Sequence, residues 1–94
     1  MGVIKKAKVR SGLLKKGFIE VKDKDHVVFQ YLNDDGQKTT AWTKYSHGKN
    51  EVSEPLIRKM AMQTQLSRLQ FEDLVNCPMS KERYREILKE KGIL

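Results

Sequence analysis

A chain of 94 residues holds one hydrophobic core and has no room for two. With 38% hydrophobic and 33% charged residues it is neither a disordered polyelectrolyte nor a membrane-spanning chain. No apolar run approaches the roughly 20 residues of a spanning helix, and the basic start lacks the apolar stretch of a secretory leader. Lys6 stands where a myristoylation signal wants Ser or Thr. The single cysteine, Cys77, can form no internal disulfide, which suits a reducing compartment, and the expected location is the cytoplasm.

The net charge of +7 is unevenly placed. Residues 1–16 carry Lys5, Lys6, Lys8, Arg10, Lys15 and Lys16 and no acid, which leaves 13 basic against 12 acidic side chains in the rest. Such a segment attracts polyanions, nucleic acid foremost, or it is simply a solvated basic tail.

In chain order, a Lys-rich arm leads into a short helix with Ser11 as N-cap, Val9, Leu13 and Leu14 as its apolar face and Gly17 as its stop. Gly12, in its middle, works against it. Residues 17–48 then read as a three-stranded antiparallel meander. A short strand over 18–21 precedes 25–32, where Val27, Phe29 and Tyr31 alternate with His26, Val28 and Gln30. Asn33-Asp34-Asp35-Gly36 signals a tight hairpin, so 38–45 returns antiparallel. Of Trp42 and Thr43 only one points into the core; Trp42 reads as partly buried and structural.

A second helix starts at Ser53 or Glu54 with Pro55 in its first turn, and Leu56, Ile57, Met60, Ala61 and Thr64 form one stripe that should cover the Phe29 face of the sheet. At this spacing Met60 is core filling rather than a soft ligand. Ser67-x-x-Gln70 is a capping box flanked by Leu66 and Phe71 in staple positions, and Asn76-Cys77-Pro78 ends that helix. Ser80, with Met79 and Tyr84 in staple positions, opens a last helix that turns Tyr84, Ile87 and Leu88 inward and closes at Gly92. The expected fold is α+β in a single domain over residues 1–94.

Gly12 and Gly17 have the spacing of the P-loop glycines, but Phe18 occupies the place of its lysine. No His-Glu-x-x-His occurs, and one cysteine with two histidines falls short of a structural zinc set, so no metal and no cofactor is expected. Two histidines in a basic chain suit one reaction: cleavage of RNA by its own 2′-hydroxyl. That reaction needs a base, an acid and cations around the phosphorane, and imidazole serves either proton step. His26 and His47 are the candidate catalytic groups. Lys5, Lys6, Lys8, Arg10, Lys15, Lys16, Lys24, Lys44 and Lys49 are the candidate RNA contacts. The competing reading makes His26 an ordinary sheet residue and His47, in Ser46-His47-Gly48, a turn former.

Over about residues 11–66 the chain resembles the HicA-type toxins, messenger-RNA interferases of toxin-antitoxin systems. Leu13-Leu14-Lys15-Lys16-Gly17-Phe18 is similar to the end of that family's first helix. Lys24-Asp25-His26-Val27-Val28-Phe29 falls on its Gly-Ser-His strand, and His47-Gly48-Lys49-Asn50-Glu51-Val52 on its His-Gly-x-x-Glu segment. The resemblance implies a double-stranded-RNA-binding-like core of one helix, three strands and a helix, with metal-independent endoribonuclease activity at His26 and an antitoxin protein as partner. Lys24-Asp25 replaces Gly-Ser, and residues 67–94 are a helical extension beyond the family's core. A non-catalytic RNA-binding module and a protein-interaction remnant of such a system stay open beside it.

Overall fold

A computed structural model of the chain describes residues 3–48, 50–76 and 78–94. The elements run β1 (Ile4–Lys5), α1 (Lys6–Lys15), β2 (Phe18–Lys22), β3 (His26–Leu32), β4 (Lys38–Ser46), β5 (Glu51–Val52), α2 (Glu54–Gln63), α3 (Arg68–Asn76) and α4 (Lys81–Glu90). The fold is α+β: an antiparallel sheet in the order β2-β3-β4, four helices, and a two-residue antiparallel bridge between β1 and β5.

Strand alternation sorts the sheet into two faces. Phe18, Val27, Phe29, Tyr31, Ala41, Thr43 and Tyr45 are buried on the helix side. On the other face Ile19 and Val21 are 41% and 51% exposed, and Gln30 pairs with Trp42 and Val28 with Lys44. Thr43 is thus the inward member of its pair, donating to Gln63 Oε1 of α2 at 2.8 Å, and Trp42 is partly buried on the outer face. The hairpin after β3 carries an irregularity between Gln30 and Leu32. The Gln30 amide fills it by donating to the carbonyls of Tyr31 and Thr39 at 3.0 and 2.8 Å.

The first helix differs from its sequence reading. It begins at Lys6, not after Ser11, and no side chain caps it. Its first N–H is satisfied from far along the chain, Lys6 N donating to Asn50 O at 2.8 Å, where β1 pairs with β5. A start held by tertiary contact leaves no local signal. Residues 4–15 are therefore built into the fold, not a free arm. The later helices follow their expected signals closely. Pro55 sits in the first turn of α2, and Ile57, Met60 and Ala61 are buried. Ser67 Oγ accepts from Gln70 N at 3.1 Å while Gln70 Oε1 accepts from Ser67 N at 3.0 Å, the reciprocal pair of a capping box. Ser80 Oγ caps α4 through Arg83 N at 3.0 Å. The expected stop around Cys77 lies partly outside the described residues.

The last two helices share the one core. Phe71, Leu74, Tyr84 and Leu88 are completely buried in the same cluster as Phe29 and Leu13. Tyr84 stacks on Phe18 with ring centroids 5.6 Å apart, meets Tyr31 edge-on at 5.4 Å, and donates its hydroxyl to Thr64 O at 2.8 Å. Burial pushes its phenol well above the ordinary value. Glu54, at the start of α2, accepts a fork from Arg68 of α3 at 2.8 and 2.9 Å and a further bond from Arg58.

The closest approach is at Gly12. A Cβ there would lie 2.6 Å from the Val75 carbonyl oxygen and 2.7 Å from its Cα, so α1 and α3 touch backbone to backbone. Gly12→Ala should therefore destabilise the protein although alanine is the better helix former by about 1 kcal/mol. Backbone atoms cannot swing aside, and overpacking of this kind costs about 1–3 kcal/mol. A thermal or urea melt checks it; a variant as stable as the wild type would show that the helices can separate freely.

The hydrogen bonds from Arg68 hold the Glu54 carboxyl well below the usual carboxylate range. A depressed folded pKa stabilises the protein above the ordinary value near 4.5 and loses that contribution as pH falls through the folded value. Urea unfolding between about pH 5 and pH 2 should show stability falling with acid, and Glu54→Gln should be less stable at neutral pH with a shallower acid dependence.

Candidate functional site

The two histidines are placed by one aspartate. Asp23, in the turn between β2 and β3, accepts from Asp25 N at 2.9 Å and His26 N at 2.6 Å through Oδ1, while its own N–H donates to His26 O at 2.9 Å. These backbone donors hold its carboxyl below its ordinary value. Its carbonyl meets His47 Nε2 at 3.2 Å. Because a carbonyl only accepts, Nε2 carries the hydrogen in this contact. Asp23 was missed from sequence, although an Asp two residues before another Asp at a strand start is the signature of such a turn. Asp25, by contrast, contributes its backbone: its carbonyl accepts from His47 N at 3.3 Å, and among the described residues no bond joins its carboxylate to His26.

Asp23 joins the histidines at the backbone, but their side chains line different clefts. His26 opens β3 opposite Ser46 on the outer face, at the rim where α2 lies beside β4. There a cleft of about 160 Å³ brings it together with Lys44, Lys59 and Gln63. His47 follows β4 in the next register and lines a cleft of about 250 Å³ with Lys6, Arg10, Glu20, Lys22 and Tyr45. Gly48, in the same lining, has φ of +117°, a conformation that lets the chain leave β4 sharply after His47. A third, wider groove runs along the β1–β5 bridge past Val3, Lys5, Lys6 and Glu51.

The candidate cations are correspondingly scattered. Lys5, Lys8, Lys15 and Lys24 are exposed, Lys44 lies beside His26, and Lys6 beside His47. Lys6 Nζ also donates to Ser46 O and sits 4.8 Å from the Tyr45 ring centroid, a cation–π contact. Arg10 is committed to Glu20, forking at 2.8 and 2.9 Å. Lys16 must be withdrawn as a surface contact: it is 6% exposed and its ammonium donates to Leu74 O at 2.6 Å, so it holds α3 instead. Lys49 lies outside the described residues. Lys22 and Lys59 were missed, since an isolated lysine carries no local signal. Burial, and after it the Glu20 charge, raises the Tyr45 hydroxyl above its ordinary value and keeps it a neutral donor.

Among the described residues no three His, Cys, Asp or Glu side chains gather as a metal site requires, and no helix is long and apolar enough to cross a membrane. No protein-family model, curated protein or solved structure matches the chain.

Asp23→Ala should loosen the turn that seats both histidines. Amide exchange at Asp25 and His26 should rise on the order of tenfold at neutral pH, while Asp23→Asn, which keeps the acceptor oxygen, should change it little. Unchanged exchange in the alanine variant would show that the turn holds without the carboxylate.

Proposed function

We propose that the chain binds RNA and cleaves its backbone without a metal, with His26 as the proton-transfer group. The observation that carries this is the company His26 keeps: Lys44 and Lys59 share its cleft. His26 would take the 2′-hydroxyl proton as that oxygen attacks phosphorus. The two ammonium groups would offset the charge gathering on the phosphorane oxygens, and the protonated His26 would give its proton to the 5′-oxygen as the P–O5′ bond breaks. His47 does not serve as its partner in this reading, because it lines the other cleft and is engaged by the Asp23 carbonyl as a turn-holding residue is.

The order helix, three antiparallel strands, helix over α1 to α2 supports a double-stranded-RNA-binding-like core, and the HicA-like segments fall at the α1–β2 junction, on β3 and after β4. In that reading the protein is a cytoplasmic interferase and its protein partner an antitoxin. All five arginines are paired with carboxylates, so the cations left for RNA are lysines. Lysines act on phosphates as point charges and give strongly salt-dependent, weakly sequence-selective binding.

The test is incubation of the purified protein with a long single-stranded RNA in chelator. Wild type should leave 2′,3′-cyclic phosphate ends, and His26→Ala should be slower on the order of 10²-fold to 10⁴-fold with affinity retained. His47→Ala should lower the melting temperature and leave the pH dependence of cleavage in place. Cleavage by His26→Ala at the wild-type rate would falsify the assignment; binding without cleavage by the wild type would make the protein a non-catalytic RNA-binding module.

A further inference from the structure

The His47 cleft has no part in the reaction assigned to His26, yet it carries as large a formal positive charge as the His26 cleft. Its lining carries Lys6 and Arg10 from α1 and Lys22 and Glu20 from β2, with Tyr45 and His47 beyond them. Glu20 and Arg10 offset each other through their two-bond fork. Lys6 and Lys22 are left with no carboxylate in the lining to balance them. The Lys6 ammonium is held against the cleft wall by the Ser46 carbonyl and the Tyr45 ring, contacts that leave N–H donors to spare. His47 has its Nε2–H turned to the Asp23 carbonyl, which leaves Nδ1 as its other polar atom.

Ammonium groups from a helix and a strand thus meet in one cleft of about 250 Å³, with His47 of the following loop beside them. Approach from three elements suits a tetrahedral anion better than a flat carboxylate, and two unbalanced ammonium groups supply the attraction. We propose that this cleft binds one phosphate group of a nucleic-acid strand, held by Lys6 and Lys22 with His47 and Gly48 at its edge. The proposal rests on the RNA reading above for the source of the phosphate, but not on His26 or on cleavage. It gives His47 and Lys22 a use that the His26 cleft does not: anchoring the strand at a point apart from the bond that is cut.

The test uses a probe that cannot be cleaved. The full-length isotopically labelled chain is titrated by NMR with the thymidine trinucleotide dTpTpT, which lacks the 2′-hydroxyl, and separately with inorganic phosphate. Both should shift the signals of His47 and Gly48, the trinucleotide binding about tenfold more tightly because a second phosphate and the bases add contacts. Lys22 is exposed and outside the core, so Lys22→Ala should keep the fold and weaken trinucleotide binding about tenfold, while His26→Ala should leave the shifts at His47 and Gly48 unchanged. The proposal is overturned if the trinucleotide leaves His47 and Gly48 unmoved or if Lys22→Ala binds as tightly as wild type. It is overturned equally if inorganic phosphate matches the trinucleotide, which would make the cleft a site for free anions. Loss of cleavage in His26→Ala with these shifts intact separates this site from the reaction.

Discussion

The backbone contact between α1 and α3 at Gly12 is the constraint on which the rest of the structure depends. With Val9 and Leu13 buried and Gly12 against Val75, α1 is packed from more than one side. A helix of 10 residues without a capping side chain has little stability of its own. Its position is set by neighbours: the Asn50 carbonyl at its start, α3 along its middle, and the Lys16 ammonium reaching the Leu74 carbonyl just past its end. The same helix supplies Lys6 and Arg10 to the His47 cleft. The C-terminal helices touch neither cleft's chemistry directly, but by fixing α1 they fix where those cations stand.

The separation of the two clefts follows from strand geometry. Consecutive residues of a strand point to opposite faces, so one step along β4 from Ser46, the partner of His26, to His47 changes the side of the sheet. Two imidazoles close in register can thus be far apart in chemistry. Asp23 ties them together, its carboxylate on the His26 amide and its carbonyl on the His47 ring. A shared turn under two distinct clefts couples their positions without bringing the two rings into one cleft.

Charge is divided by residue type. Arg10, Arg68 and Arg85 are spent between elements, on Glu20, Glu54 and Asp34, where a planar fork gains most from a carboxylate. Among the described residues most lysines remain at the surface, whereas Lys16 is buried on a carbonyl. The basic character of the chain is therefore one of mobile point charges around a sheet whose outer face keeps Ile19 and Val21 in view of solvent.

Local grammar was sufficient wherever the cause of an element is local. The alternation around Phe29, the Asp35-Gly36 hairpin, the stripe of α2, the Ser67–Gln70 box and the Ser80 cap all appear in the structure, because turn chemistry and side-chain period act within a few residues. Contacts between distant segments were invisible to it. The start of α1 depends on Asn50, the use of Gly12 on Val75, the burial of Lys16 on Leu74, and the company of His26 on Lys59 and of His47 on Lys22. Each of these joins residues more than ten positions apart, and the packing that brings them together is a property of the whole core rather than of any window of the chain.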